Sequence, residues 1–142
     1  MPFQLIYSSA ATERMPKSKL YKILLSSRSR NVSQDITGLL VFVNGVFLQI
    51  LEGERDVVSA LMQKISGDPR HSNVKVFQEK AIEQRTFSSW RMAYVTPSPR
   101  ELATWTGLRG TATVEATLDM LHSDPDRVSS LVTKLLEVIR ET

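Results

Sequence analysis

The chain is expected to fold as an α+β, ferredoxin-like sandwich of order βαββαββ. Two helices would cross one face of a mainly antiparallel sheet, and C-terminal helices would cap the other. Three observations carry this. Residues 36–43 and 46–51 are apolar at nearly every position, so their strands are covered on both faces. Asn44-Gly45 between them is the strongest short hairpin signal, because both residues tolerate the positive φ of a type I′ turn. Amphipathic helical patterns flank the hairpin on either side.

In chain order, Phe3-Gln4-Leu5-Ile6-Tyr7-Ser8-Ser9 alternates as a strand, with Phe3, Leu5, Tyr7 and Ser9 on one face. Pro16 suits a first helical turn. Leu20, Ile23, Leu24 and Ser27 then follow at the spacing of one helical face, and Asn31, eleven residues past Leu20, falls on the same stripe. The hairpin strands come next, then a helix with Val57, Val58, Leu61, Met62 and Ile65 on one stripe and Gly67 at its end. Val74 to Glu79 is more polar and reads as an edge strand. A last short strand is expected to put Trp90, Met92 and Tyr94 on one face.

Thr96-Pro97-Ser98-Pro99 marks a break in composition, dividing a module at 1–96 from a helical extension at 97–142. Residues 100–111 carry no clear pattern. A helix is expected around Val114 to Leu121, and Ser123-Asp124-Pro125-Asp126 caps another bearing Val128, Leu131, Val132, Leu135, Leu136 and Ile139. The first two helices can cover only one sheet face, so the last ones are expected on the second.

Composition narrows the classes. With 142 residues, 42% hydrophobic and 23% charged, the chain is an ordinary globular domain. No apolar run approaches the roughly 20 residues that span a bilayer, and the start does not read as a signal peptide, so neither a membrane nor export is expected. Zero cysteines exclude disulfides, thiolate metal sites and cysteine nucleophiles, and fit a cytoplasmic protein. A net charge of +3 is modest, and the basic residues are dispersed with few aromatics among them, so no direct nucleic-acid contact is expected. Phosphate loops, nucleophile elbows and His-Glu-x-x-His are absent. His71 and His122 lie far apart in sequence, and Glu52 with Glu54 reads as favourable charge at a helix N-terminus rather than an acid/base couple.

What remains is polar residues in apolar settings. Gln49 interrupts Val46-Phe47-Leu48-Gln49-Ile50-Leu51, where an unsatisfied amide costs about 1–3 kcal/mol. Tyr7 on an adjacent strand can satisfy one edge of it. The other edge, with Asn31, calls for a flat partner rich in donors and acceptors, such as an aromatic heterocycle held between the two helices. Periodicity goes no further than that.

The chain resembles the BLUF family, blue-light sensors using flavin. The resemblance rests on Leu5-Ile6-Tyr7-Ser8-Ser9, Ser27-Arg28-Ser29-Arg30-Asn31 and Ile36-Thr37-Gly38-Leu39-Leu40. It continues through Gly45 to Gly53, through Asp68-Pro69-Arg70-His71-Ser72-Asn73-Val74, and through Ile82, Arg85, Phe87, Trp90 and Met92. It implies a flavin between the two helices, FAD first, with FMN or riboflavin as alternatives. It further implies light-driven electron and proton transfer from Tyr7, with Gln49 as the switching amide, Asn31 at the pyrimidine edge, Ser9 near the tyrosine–glutamine pair, and Trp90 and Met92 as signal relay. The full candidate binding set is Tyr7, Ser9, Ile23, Leu24, Arg28, Arg30, Asn31, Leu39, Phe47, Gln49, Arg70 and His71. Arg28 or Arg70 would meet a phosphate.

Two positions depart from the family pattern. Arg30 stands where many relatives carry histidine or asparagine, and a guanidinium donates but does not accept. Arg91 replaces a residue that is often small, and alternation sends it away from the flavin, toward the C-terminal helices or a partner. The resemblance makes this a stand-alone sensor and not an enzyme, a homo-oligomer signalling through its C-terminal helices to a separate effector such as a cyclic-dinucleotide phosphodiesterase or a transcription regulator. The competing readings are a ferredoxin-like enzyme or ligand-binding module without photochemistry, and, more remotely, an RNA-binding sheet, which would need exposed aromatics that this covered sheet does not offer.

Overall fold

A computed structural model describes residues 1–108 and 113–141. The elements are β1 (Phe3–Ala11), α1 (Lys17–Gln34), β2 (Thr37–Val43), β3 (Val46–Gly53), α2 (Arg55–Ser66), β4 (His71–Ala81), β5 (Ala93–Val95), α3 (Pro99–Trp105), α4 (Val114–Ser123) and α5 (Pro125–Arg140). The first seven are the expected βαββαββ. They form one five-stranded sheet in the order β4-β1-β3-β2-β5, antiparallel except that β5 runs parallel to β2.

Strand alternation divides the interior into two cores. Leu5, Tyr7, Leu40, Phe47 and Leu51 face α1 and α2, meeting Leu20, Leu24, Val58 and Leu61. Ile6, Leu39, Val41, Leu48 and Ile50 face the other way, against Leu102 of α3, Val114 and Leu121 of α4, and Leu131 and Leu135 of α5. The C-terminal helices therefore cover the second sheet face, as its apolar character required. Asn44 and Gly45 turn the β2–β3 hairpin with φ of 45° and 76°. That two-residue connection pairs Val43 with Val46 and, further down, Leu40 with Gln49.

Several elements differ from expectation. The edge strand runs from His71 to Ala81, longer than its apolar signal. The segment read as carrying no pattern opens with α3, whose Ser98 hydroxyl accepts from the Glu101 N–H while the Glu101 carboxylate accepts from the Ser98 N–H. That capping box, with Pro99 in the first turn, was present in the sequence as Ser-Pro-x-Glu. Residues 109–111 of that segment lie outside the described residues. The last strand spans only Ala93–Val95, and the chain before it is irregular. The alternation assumed for Trp90 and Met92 therefore does not hold. Met92 enters the α1/α2 core, whereas Trp90 packs with Phe87 on the C-terminal helix side.

Glu52 is the other correction. It is fully buried in β3 rather than placed at the start of α2, where Glu54 occupies the cap. Its carboxylate accepts from Gln4 Nε2 at 2.9 Å, from the Thr86 N–H at 3.0 Å and from the Phe87 N–H at 2.7 Å. A carboxylate is tolerated there because backbone and amide donors satisfy it. It tethers the 82–92 connection to the sheet. Glu52→Ala should cost about 3 kcal/mol or more, since each stranded buried donor costs about 1–3 kcal/mol. Urea unfolding measures this, and a stability equal to the parent protein's would contradict it.

Candidate functional site

On the α1/α2 side a crevice opens between the helices, with the sheet as its floor. It holds about 80 Å³ of water-sized space. Tyr7, Leu40, Phe47 and Gln49 form the floor, Ile23, Ser27 and Arg30 of α1 one wall, and Leu61, Lys64 and Ile65 of α2 the other. Asp68, Arg70 and His71 close one end.

The floor carries a short hydrogen-bond chain. Tyr7 and Gln49 are directly opposite in the β1–β3 register. The Tyr7 hydroxyl donates to Gln49 Oε1. Gln49 Nε2 donates in turn to Met92 Sδ at 3.5 Å. All three side chains are buried. Burial pushes the Tyr7 phenol well above its ordinary value, with the Arg30 charge opposing and Asp68 adding, so the hydroxyl remains a donor at physiological pH.

Asn31 is fully buried, and α1 continues past it to Gln34 before Asp35 leaves the helix at φ 53°. Its amide Nδ2 donates to the Arg91 carbonyl at 2.5 Å. Arg28 Nε donates to the next carbonyl, that of Met92, at 3.1 Å. Two side chains of α1 thus clasp the backbone that carries Met92. Arg91 lies at the surface rather than packing against the C-terminal helices: its guanidinium donates to the exposed Asp35 Oδ1 at 3.0 Å. That bond, followed by the charge of Arg85, holds the Asp35 carboxyl below the usual carboxylate range.

At the closed end, Asp68 and Arg70 pair at 2.6 Å, which draws the Asp68 carboxyl down to about 2. His71 Nδ1 lies 2.7 Å from the Ser9 hydroxyl, and its ring packs tilted against Phe47, 4.9 Å between centroids. Ser9 is thereby one step removed from the crevice, acting through His71.

Of the candidate binding residues, Tyr7, Ile23, Arg30, Phe47, Gln49, Arg70 and His71 line the crevice. Leu24 packs in the same core without lining it, and Arg28 and Asn31 hold the 91–92 backbone. Leu39 is misplaced: it faces the C-terminal helices, and its neighbour Leu40 takes the floor. Ser27, Leu61, Lys64, Ile65 and Asp68 were not in the predicted set. Ser27 was legible, standing four residues before Asn31 and four after Ile23 on one helical stripe.

The fold and crevice define an α+β sandwich with an open crevice between two helices above a hydrogen-bonding floor. Residues 3–93 match the family model described as BLUF, sensors of blue light using FAD, and the chain belongs to that family. It is 39% identical over 93 residues to the photoactivated adenylate cyclase subunit beta of Euglena gracilis. It is 36% identical over 70 residues to the blue light- and temperature-regulated antirepressor BluF of Escherichia coli. These matches cover 65% and 49% of this chain but only 11% and 17% of those relatives, so it spans a small part of their length. Among solved structures, the dark state of BlrB, a BLUF protein, superposes with a TM-score of 0.78 at 30% identity, covering 96% of both chains. The photo-activated state of BlsA gives 0.78 at 28% identity, covering 96% of this chain and 95% of that one.

The family's cofactor is FAD, and the residues present suit a flavin ring. The crevice has an apolar body from Ile23, Leu40, Phe47 and Ile65, with Gln49 and Arg30 supplying polar groups. Among the described residues Arg30 Nε is buried without a hydrogen-bond partner, a donor that an acceptor on a bound ligand would satisfy.

Burial holds the His71 imidazole below its ordinary value of 6.5, with the Arg70 charge acting in the same direction and Asp68 against it. A depressed folded value means that the unfolded chain binds this proton more readily. The stability linked to neutral His71 is therefore complete above pH 6.5 and is lost as pH falls through the folded value. Thermal melting between pH 7.5 and 5.5 should show the parent protein losing stability and His71→Gln losing less, on a scale of roughly one to two pH units. Parallel pH profiles would refute the assignment.

Proposed function

We propose that this chain is a blue-light sensor that binds FAD in the α1/α2 crevice, with residues 1–96 as the sensor and 97–142 as cap and output. The observation that carries the reading is the buried chain from the Tyr7 hydroxyl through Gln49 to Met92 at the crevice floor. Tyr7, Gln49, Arg30, Ile23, Phe47, Arg70 and His71 would hold the cofactor directly. Arg28 and Asn31 would set the 91–92 backbone beside it. When bound, FAD supplies the blue-light chromophore and, once excited, an electron acceptor.

The protein's own residues do the rest. Tyr7 is the oxidisable side chain on the floor. Loss of an electron acidifies a phenol, and an acceptor for its proton is already in place at Gln49 Oε1. With Tyr7 on one side and the thioether of Met92 on the other, Gln49 can satisfy its neighbours in more than one arrangement. Sulfur is a weak acceptor, so little holds Nε2 in the present one. An amide rearrangement is worth about 1–3 kcal/mol, the usual size of a coupling between sites.

The route outward is the 87–92 segment. Met92 lies in the core that contains Gln49, while Phe87 and Trp90 lie in the core shared with the C-terminal helices. A shift of Met92 moves a backbone that both cores grip. The effector would be a separate protein; two relatives, whose chains are much longer than the matched region, are named as a photoactivated adenylate cyclase subunit and as an antirepressor, which supports an output of one of those kinds.

Purified protein loaded with FAD should be yellow and should show a small, reversible red shift under blue light. Tyr7→Phe and Gln49→Leu should still bind FAD but show no shift. A normal shift in either variant would overturn the proposed switch, and failure of the parent protein to bind flavin would overturn the sensor itself. For the output route, hydrogen exchange in α3, α4 and α5 should differ between light and dark, with the largest change near Trp90. Identical exchange across residues 87–141 would remove that route.

A further inference from the structure

The charges around the crevice do not balance. Asp68 and Arg70 neutralise each other at 2.6 Å, and burial favours neutral Tyr7 and His71. Arg30 and Lys64 remain as cations, and neither forms an ion pair among the described residues. Lys64 is exposed in the last turn of α2, where solvent and the helix dipole both suit a positive charge. Arg30 has neither advantage. It is half-buried on the crevice wall, and among the described residues its Nε has no hydrogen-bond partner and Nη2 reaches only Asn31 Oδ1 at 3.5 Å. The other arginines that grip this side of the sheet are better matched: Arg85 and Arg91 meet Asp35, and Arg28 meets a carbonyl.

A half-buried guanidinium without a counter-charge is costly unless the intended ligand supplies electron density. We infer that Arg30 is the electrostatic tuner of the bound flavin, a fixed cation that favours the ring in its electron-rich form. This rests on the flavin reading above and goes beyond it. The property concerned is a reduction potential, set by a cation on the crevice wall. At mildly alkaline pH, two-electron reduction adds two electrons and one proton to the ring and leaves it with a net negative charge. A cation alongside binds that form more tightly than the neutral oxidised ring, and the ratio of the two affinities appears directly in the potential. Asn31 cannot supply this, being neutral and already committed to the Arg91 carbonyl.

The test is an equilibrium titration with dithionite against a reference dye at pH 8, on the full chain loaded with FAD, in the parent protein and in Arg30→Gln, Arg30→Asn and Arg30→Lys. FAD dissociation constants and circular dichroism are measured on each. The neutral variants should favour the reduced ring about tenfold less, a fall of about 30 mV for a two-electron couple. Arg30→Lys should keep most of the parent value, and all variants should retain the parent's secondary structure. A potential in either folded neutral variant equal to the parent's overturns the inference. So does an equal fall in Arg30→Lys and Arg30→Gln, because hydrogen-bond geometry rather than charge would then be responsible. If the parent protein takes up no FAD, the flavin reading falls and this inference with it, a failure separate from an unchanged potential in a loaded protein.

Discussion

Gln49 must keep its hydrogen bonds in a place where it is almost wholly buried, and much of the crevice side of the sheet is organised around that requirement. The amide is central in the sheet, with β1 on one side and β2 on the other, so its partners have to come from neighbouring strands or from the chain that crosses above them. Tyr7 supplies a donor because the β1–β3 register sets it directly opposite. Met92 supplies an acceptor because Arg28 and Asn31 of α1 hold its backbone in place. Register, helix length and an irregular connection thus converge on one side chain. A weaker grip at any of the three would leave a buried amide unsatisfied, or would let it settle in a single arrangement with nothing to switch.

The two cores explain how a local rearrangement could be felt at a distance. They share the sheet, and each holds buried polar groups among apolar side chains: Tyr7, Asn31 and Gln49 on the α1/α2 side, and, by strand alternation, Gln4 and Glu52 on the other, beside the fully buried Phe87. The 87–92 segment belongs to both, tied at one end by the Glu52 carboxylate and at the other by α1.

The parts of this arrangement that could be read in the sequence were those governed by a regular period. Alternation placed Tyr7 inward, a two-faced apolar strand exposed Gln49 as anomalous, and the 3.6-residue repeat carried Asn31 into the core. Where the backbone leaves a period, the reading failed. Trp90 and Met92 are two residues apart but lie in opposite cores, because the extended strand begins only at Ala93. Leu39 was taken for a crevice residue because both faces of β2 are apolar and composition does not distinguish them. The hairpin did contain the answer: a two-residue turn at 44–45 pairs 43 with 46, and hence Leu40 with Gln49. Glu52 was misread because its partners, the Thr86 and Phe87 amides, are distant in sequence and carry no side-chain signature.

The same turn has a consequence for how this protein can change over time. Since side chains alternate, adding or deleting one residue in β3 between Val46 and Gln49, with the turn held in place, would exchange the faces of the residues that follow it. Gln49 would then point at the C-terminal helices, and Leu48 or Ile50 at the crevice. The hairpin should accordingly tolerate exchanges among aliphatic residues while rejecting any change in its length. Insertions in the loops outside it would leave the crevice face in register.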